Sequence, residues 1–136
     1  MVSSLAAESH ENIEDPRVTP LATPHLTTQV LKLVRSYKNA SKLKKGNNEC
    51  VKAITKGIAQ LVVIAADTEP IELCLNLPDL CEEKGVPFVF VPSKQLLGRE
   101  CDMSRGIISC ALLTDETGTL DAALSSLKLA IDTINV

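Results

Sequence analysis

The chain has 136 residues, of which 45% are hydrophobic and 23% charged, and this balance predicts a single globular domain with an ordinary apolar core. No apolar run approaches the roughly 20 residues of a membrane span, and the basic-then-apolar pattern of a secretion signal is missing, so we expect no export. The net charge of −3 argues against nucleic-acid binding by the whole surface, and an aromatic content of 2% is too low for a base-stacking RNA platform.

The N-terminal part of the chain divides into a polar segment and a helix. Residues 1–18 are polar and acidic, and we expect a disordered tail there, ahead of one folded domain over residues 19–136. Apolar side chains recur at helical spacing over residues 26–37. Thr23 or Thr27 is available as the N-cap of this helix.

The rest of the chain alternates strands with helices. Apolar runs at 61–66, 86–91 and 107–113 predict three buried strands, and residues 42–45 can add a short edge strand. This alternation indicates the α/β class, as a three-layer α/β/α sandwich around a mixed sheet of about four strands. The predicted helices cover about 47–56, a segment from Pro70 that kinks or restarts at Pro78 and ends before Gly85, a short stretch from Ser93, and 118–134.

A concentrated basic segment lies between residues 32 and 56. It holds eight cations and one acid, Glu49, which gives a local charge of +7 inside an acidic protein. Such a segment is typical of a polyanion site, although on charge alone a solvated lysine face is an equal alternative. The cations are Lys32, Arg35, Lys38, Lys42, Lys44, Lys45, Lys52 and Lys56.

The stretch KKGNNE, residues 44–49, is an unusual helix start, because the helix macrodipole favours acids there. Gly46 allows a phosphate to approach the first backbone N–H groups, and the two lysines before it add positive charge. Asn48 can donate and accept, whereas ionised Glu49 only accepts, which suits a guanine that presents its N1–H and N2–H₂ donors. Lys52, one turn further on the same face, can reach a neighbouring base or phosphate.

Capping and catalysis are the alternatives that the sequence leaves open. Asn47 can serve as an N-cap, with Glu49 as an ordinary first-turn acid. No Walker loop, GxGxxG or serine elbow is present, so a small thiol enzyme built on Cys101 and Asp102 is the catalytic alternative, and it lacks a histidine. The five cysteines form no CxxC pair, so we expect buried reduced thiols and neither metal nor other cofactor.

Four linked motifs carry a family resemblance. LKKGNNECVKAITKG, VVIAADTEPIE, LCEEKGVPFVFVPSKQLLGR and CDMSRGIISC occur in the order and spacing of the kink-turn-binding ribosomal-protein family of archaea and eukaryotes, which the chain resembles over roughly residues 20–136. AADTEPIE, SKQLLGR and SR are most similar to the branch shared by box C/D nucleolar ribonucleoproteins and the spliceosomal tri-snRNP, with a ribosomal or H/ACA branch as the alternative. The resemblance implies a non-catalytic RNA-binding domain over residues 19–136, in the nucleus and nucleolus.

The resemblance also implies partners and contacts. The RNA would be a kink-turn of box C/D snoRNA or spliceosomal snRNA, two stems joined through sheared G·A pairs with one nucleotide flipped out, and the other proteins of both particles would be further partners. Core packing of Leu73 and Ile108, and a solvated charge at Arg105, are the alternatives. By position, the residues on the G·A pairs and adjoining backbone are Gly46, Asn48, Glu49 and Lys52, and those around the flipped nucleotide are Glu69, Leu73, Lys94, Arg105 and Ile108.

The sequence departs from the family pattern at four positions. Asn47 stands where a smaller residue is usual, and Asp102, Met103 and Gly106 replace glycine, valine and proline. We expect Asp102 to add negative charge beside the RNA and Gly106 to loosen the loop that contains them.

Overall fold

The computed structural model describes residues 16–134, and these form five α-helices, one 3₁₀ turn and four strands. Most of the predicted tail, residues 1–15, lies outside this range, and Val18 at its end is buried. No helix within the described range has both the length and the apolar character that crossing a membrane requires. The elements are α1 (Pro24–Asn39), β1 (Leu43–Lys45), α2 (Asn47–Lys56), β2 (Ala59–Ala65), the 3₁₀ turn (Ile71–Leu73), α3 (Asn76–Lys84), β3 (Phe88–Val91), α4 (Lys94–Glu100), β4 (Ser109–Leu113) and α5 (Asp121–Ile134).

The four strands form one mixed sheet in the order β1-β4-β2-β3. β4 is antiparallel to both of its neighbours, and β2 is parallel to β3. Parallel neighbours need a crossover connection, and the 3₁₀ turn with α3 provides it. The mixed, four-stranded sheet confirms the predicted fold class.

Helices cover both faces of the sheet, and each face has its own apolar cluster. Leu61 and Val63 of β2 pack with side chains of α1, α4 and α5, while Val62 and Ile64 pack with those of α2 and α3. Successive strand residues point to opposite faces, so a strand buried on both faces reads as one continuous apolar run. The three layers follow directly from this pattern.

Some element boundaries differ from the predicted ones. β3 begins at Phe88 and β4 at Ser109, each two residues later than expected. The segment after Pro70 is a 3₁₀ turn followed by a separate helix, α3, so the restart that Pro78 suggested is confirmed. Pro78 lies in the first turn of α3, where a helix does not need the missing backbone N–H.

Side-chain caps fix the starts of α1 and α4. The hydroxyl of Thr23 accepts a hydrogen bond from the Leu26 amide at 3.2 Å, so Thr23 is the N-cap of α1 and Thr27 lies inside the helix. Ser93 caps α4 in the same way, with its hydroxyl oxygen 3.2 Å from an amide nitrogen of the first turn. The capping side chains of Thr23 and Ser93 therefore fix where these two helices begin.

Four connecting segments meet at one edge of the sheet. Lys45 at the end of β1 pairs with Cys110 near the start of β4, and Ile64 near the end of β2 pairs with Ser109. The ends of β2 and β3 also coincide, because these strands are parallel and in register. The segments that follow β1, β2 and β3, and the segment that precedes β4, are therefore neighbours. We call this end of the molecule the loop edge.

Candidate nucleic-acid interface

The start of α2 lies at the loop edge and has no side-chain cap. Gly46 is its N-cap residue, with φ of 99°, which a residue with a Cβ rarely adopts. The Gly46 N–H donates to the Ser109 carbonyl oxygen at 2.8 Å, and this bond holds the helix start against β4. The amides of the first turn are thus left without a side-chain acceptor, an arrangement that suits an anion.

Asn47 does not cap α2, so that interpretation is wrong: Gly46 occupies the cap position and Asn47 is the first helical residue. Its amide nitrogen Nδ2 donates to the Leu73 carbonyl oxygen at 2.6 Å and to Oδ1 of Asn76 at 3.2 Å. Asn47 therefore joins α2 to the 3₁₀ turn and α3. The Leu73 side chain is 51% exposed, which excludes core packing as its role.

The outer face of α2 carries the predicted reading residues. Asn48 and Lys52 are exposed, and Glu49 is half-buried, while Cys50 and Ile54 on the opposite face are buried in the core. The carboxylate of Glu49 lies 3.6 Å from the Lys52 ammonium. An exposed pair of this kind contributes little to stability, so both groups stay available to a ligand.

A cavity of about 580 Å³ opens between the start of α2 and the segment before β4. Five of the eleven predicted site residues line it, namely Lys45, Gly46, Lys94, Arg105 and Ile108. Gln95 and Met103 also line it, and the sequence prediction missed both, although each is close in sequence to a predicted residue. The remaining lining residues are Asn47, Gly106 and Ile107.

The other predicted residues lie outside the cavity lining. Lys44 and Lys45 point to opposite faces of the sheet, because their partners Ala111 and Cys110 belong to the two different apolar clusters. Glu69 is exposed in the segment after β2. Six predicted residues do not line the cavity, namely Lys44, Asn48, Glu49, Lys52, Glu69 and Leu73.

The segment before β4, residues 101–108, is held against α4. The Met103 amide donates to the Gly98 carbonyl oxygen at 2.9 Å, and the Ile107 amide donates to that of Lys94 at 3.0 Å. A Cβ on Gly106 would lie 2.8 Å from Cγ of Lys94. The expectation that Gly106 loosens the loop is therefore wrong, because glycine allows the close packing of Lys94.

Asp102 directs its charge away from the cavity. Its carboxylate forms ion pairs with Lys38 and, at 3.1 Å, with Arg35, both on α1. Hydrogen bonds from these two cations hold the pKa of Asp102 below its ordinary value of 3.8. Two cations of α1 therefore compensate the negative charge that we expected Asp102 to add beside the RNA.

The basic segment separates into paired and unpaired cations. Arg35 and Lys38 are paired as above, and Lys42 lies 2.8 Å from the Glu116 carboxylate. The loop edge, by contrast, keeps positive charge that no acid of the described residues compensates. Four cations there make no ion pair within residues 16–134, namely Lys44, Lys45, Lys94 and Arg105.

All five cysteines are free thiols and buried, as predicted. Burial raises the pKa of Cys50 to about 11 and that of Cys81 to about 12. A hydrogen bond from the Cys110 thiol lowers the pKa of Cys101, but Cys101 is only 1% exposed and its neighbour Asp102 faces α1. This geometry gives a substrate no access to a thiol nucleophile.

Fold and site together define an α/β/α sandwich protein whose loop edge carries unpaired cations within the described residues. The sequence pattern of the "Ribosomal protein L7Ae/L30e/S12e/Gadd45 family" matches residues 28–122, and the chain belongs to this family. Its curated relatives include the "13 kDa ribonucleoprotein-associated protein" of Mycosarcoma maydis, 47% identical over 87% of this chain and 94% of that protein. Another is the "NHP2-like protein 1 homolog" of Dictyostelium discoideum, 42% identical over 90% of this chain and 95% of that protein.

A solved structure agrees with the family assignment. The "Giardia lamblia 15.5kD RNA binding protein" superposes with a TM-score of 0.84 and 38% identity, over 88% of this chain and 98% of that one. This match confirms the α/β sandwich. The family and these relatives are ribosomal and ribonucleoprotein components rather than enzymes, which confirms the prediction of a non-catalytic protein.

Proposed function

We propose that this protein binds RNA at the loop edge and that it recognises and stabilises kink-turns. The observation that carries this proposal is the arrangement around the cavity: unpaired cations and an uncapped helix start surround it, and one carboxylate stands beside it. Lys45, Lys94 and Arg105 attract phosphates, and the first amides of α2 donate hydrogen bonds to one phosphate directly. A positively charged edge on a protein of net charge −3 favours a localised polyanion over general surface binding.

Glu49 makes this surface specific. A carboxylate repels phosphates, so its place beside a basic edge favours a ligand that offers hydrogen-bond donors. The sheared G·A pairs of a kink-turn leave guanine donors free, and Glu49 accepts from them while Asn48 and Lys52 contact the neighbouring bases and backbone. These three side chains belong to the contact set that the sequence predicts together with Gly46.

The cavity is the proposed site of the flipped nucleotide. Ile107 and Ile108 provide apolar contact, and Lys94 and Arg105 provide charge for its phosphate or base. Leu73, exposed and held by Asn47, adds apolar surface beside the same edge. No aromatic residue lines the cavity, so this nucleotide is held by apolar packing and polar contacts rather than by aromatic stacking.

The cellular role that we infer is the nucleation of box C/D snoRNP, which guides rRNA 2′-O-methylation, and of the spliceosomal tri-snRNP, which acts in pre-mRNA splicing. Residues 19–136 are the RNA-binding domain, and the RNA-bound protein gives the other proteins of these particles a composite surface in the nucleus and nucleolus. The names of the relatives, a ribonucleoprotein-associated protein among them, support this role. The family description also names ribosomal proteins, which supports a ribosomal or H/ACA role as the second candidate.

Glu49→Ala tests the binding mode. We expect the affinity for a kink-turn RNA to fall by about tenfold or more, in line with about 1–3 kcal/mol for a good base contact, with an unchanged thermal unfolding midpoint. The matched control is Glu83→Ala, an exposed acid on α3. Isothermal titration with a kink-turn, and with the same RNA carrying Watson–Crick pairs in place of the G·A pairs, gives both affinities. Equal affinity of wild type for the two RNAs would contradict kink-turn recognition.

Crosslinking distinguishes the two cellular roles. The protein is crosslinked to RNA in cells, and the bound RNAs are sequenced. Box C/D and spliceosomal RNAs support the proposed particles, whereas ribosomal or H/ACA RNAs would favour the second candidate. Recovery of RNA without kink-turns would contradict both.

A further inference from the structure

Residues 101–106, which we call the clasp, form a tight turn whose middle is tied to α1. Asp102 has φ of 59°, in the left-handed region that asparagine, aspartate and glycine tolerate best. Its carboxylate pairs with Arg35 and Lys38. Arg35 makes two more contacts with the end of α4, from Nε to the Glu100 carboxylate at 3.1 Å and from Nη2 to the Arg99 carbonyl oxygen at 2.8 Å.

The clasp is therefore anchored on two sides. On its inner side, the Arg105 carbonyl oxygen lies so close to α4 that a Cβ on Gly98 would be 2.3 Å from it. On its outer side, the cations of α1 hold the Asp102 carboxylate. Between these anchors the clasp presents Met103 and Arg105 to the cavity, and the Lys45 ammonium is 3.9 Å from the Met103 sulfur.

We propose that Arg35 and Lys38 are positioning residues for RNA recognition: they hold the clasp through Asp102 and so fix Arg105 over the cavity. This inference rests on the proposed function of the loop edge. Arg35 and Lys38 would then not contact the RNA themselves, because their charge is already matched by Glu100 and Asp102.

A clasp held in one position affects which RNA the protein selects. Attraction of a plain duplex depends on the number of cations and little on their exact position, whereas contact with a flipped nucleotide requires Arg105 at one place. Removal of the Asp102 charge frees Arg35 and Lys38 and loosens the clasp. Affinity for a kink-turn should therefore fall while affinity for a duplex stays constant or rises.

The first test compares Asp102→Asn with wild type in titrations against a kink-turn RNA and a plain duplex of equal length. We expect about a fivefold loss for the kink-turn, the size that two exposed ion pairs support, and no loss for the duplex. The control is Glu116→Gln, which breaks the exposed ion pair with Lys42 and leaves the clasp intact. Equal losses for both RNAs, or the same loss in the control, would overturn the proposal.

The ion pairs of Asp102 with Arg35 and Lys38 form a tether between the clasp and α1. A double-mutant cycle shows whether this tether acts through Arg105. The hydrogen bonds of the Asp102 side chain go to Arg35 and Lys38 and not to Arg105, so independent effects would add. If the ion pairs of Asp102 with Arg35 and Lys38 position Arg105, Asp102→Asn has almost no further effect on kink-turn affinity in an Arg105→Ala background. Additive losses would refute a positioning role.

A measurement without RNA separates this proposal from the proposed function. Hydrogen exchange at the Met103 amide, which donates to Gly98, reports how firmly the clasp is closed. We expect exchange several times faster in Asp102→Asn and also in Asp102→Gly, which removes the tether together with any strain at this φ. Unchanged protection in both variants would exclude the tether, whereas failure of wild type to bind a kink-turn would refute only the proposed function.

Discussion

At the scale of single residues, a Cβ atom on Gly98 would lie 2.3 Å from the Arg105 carbonyl oxygen, a distance that non-bonded carbon and oxygen do not reach. Gly98→Ala must therefore displace backbone, and we expect a loss of about 1–3 kcal/mol in the free energy of unfolding. Urea denaturation measures this loss. Gln95→Ala, an exposed position on the same helix, should change stability by less than about 0.5 kcal/mol. Equal stabilities of the two variants would show that the clasp does not pack on α4 as described.

A second residue-scale prediction concerns pH. The pKa of Asp102 is depressed in the folded protein by Lys38 and Arg35, so its ion pairs add stability above the ordinary pKa of 3.8, and this stability disappears as pH falls through the lower, folded value. Wild type should therefore be more stable than Asp102→Asn at neutral pH, and the difference should shrink below about pH 4. Denaturation midpoints from pH 2 to 7 measure it. A constant difference across that range would show that the charge of Asp102 does not matter.

The role of a residue was predictable from sequence where the chemistry of its side chain alone indicates that role. Glu49 stood out as the single acid among eight cations, and it lies on the outer face of α2 as expected. Asn47 was misjudged because its partners Leu73 and Asn76 are 26 and 29 positions further along the chain. Asp102 and Gly106 were misjudged for the same reason, since their roles depend on α1 and on Lys94. Local pattern cannot show such distant contacts.

At the scale of elements, hydrophobic periodicity predicted the helices and strands, because burial on one or both faces leaves a clear pattern. The ends of elements were harder to predict. Thr23 and Thr27 are equally plausible caps on local sequence, and the structure selects Thr23 because α1 starts one turn before Thr27. The ends of β3 and β4 are set by their partners in the sheet rather than by their own residues.

The cap of α1 gives a prediction at this scale. Thr23→Ala removes the acceptor of the Leu26 amide, and we expect a loss of about 0.5–2 kcal/mol in the free energy of unfolding. Thr28→Ala is the control, because this exposed hydroxyl only donates to a carbonyl within the same helix. Chemical denaturation compares the two. A loss in Thr28→Ala as large as that in Thr23→Ala would contradict the assignment of the cap.

At the scale of the whole molecule, the charge is arranged unevenly. The chain has a net charge of −3, yet Lys44, Lys45, Lys94 and Arg105 at the loop edge have no ion pairs within the described residues, while Arg35 and Lys38 of α1 are matched by acids. The topology produces this separation, since β4 runs antiparallel to β1 and β2 and so brings Lys45, Lys94 and Arg105 around one cavity. Composition alone could not reveal it, because a sum over all residues hides where the charges lie.

This uneven charge predicts how RNA affinity depends on salt. Each cation that neutralises a phosphate releases counterions, so the logarithm of affinity should fall linearly with the logarithm of salt concentration, and loss of one such cation should reduce the slope by roughly 0.7–0.9. Lys45→Gln and Lys94→Gln remove cations of the cavity and should each show this change. Lys84→Gln, at the end of α3 and at the opposite end of the sheet from the loop edge, should leave the slope unaltered. The slopes are measured by titrating a kink-turn RNA at salt concentrations from roughly 50 to 300 mM. If Lys84→Gln lowered the slope as much as Lys45→Gln, the RNA would be held by the whole surface and not by the loop edge.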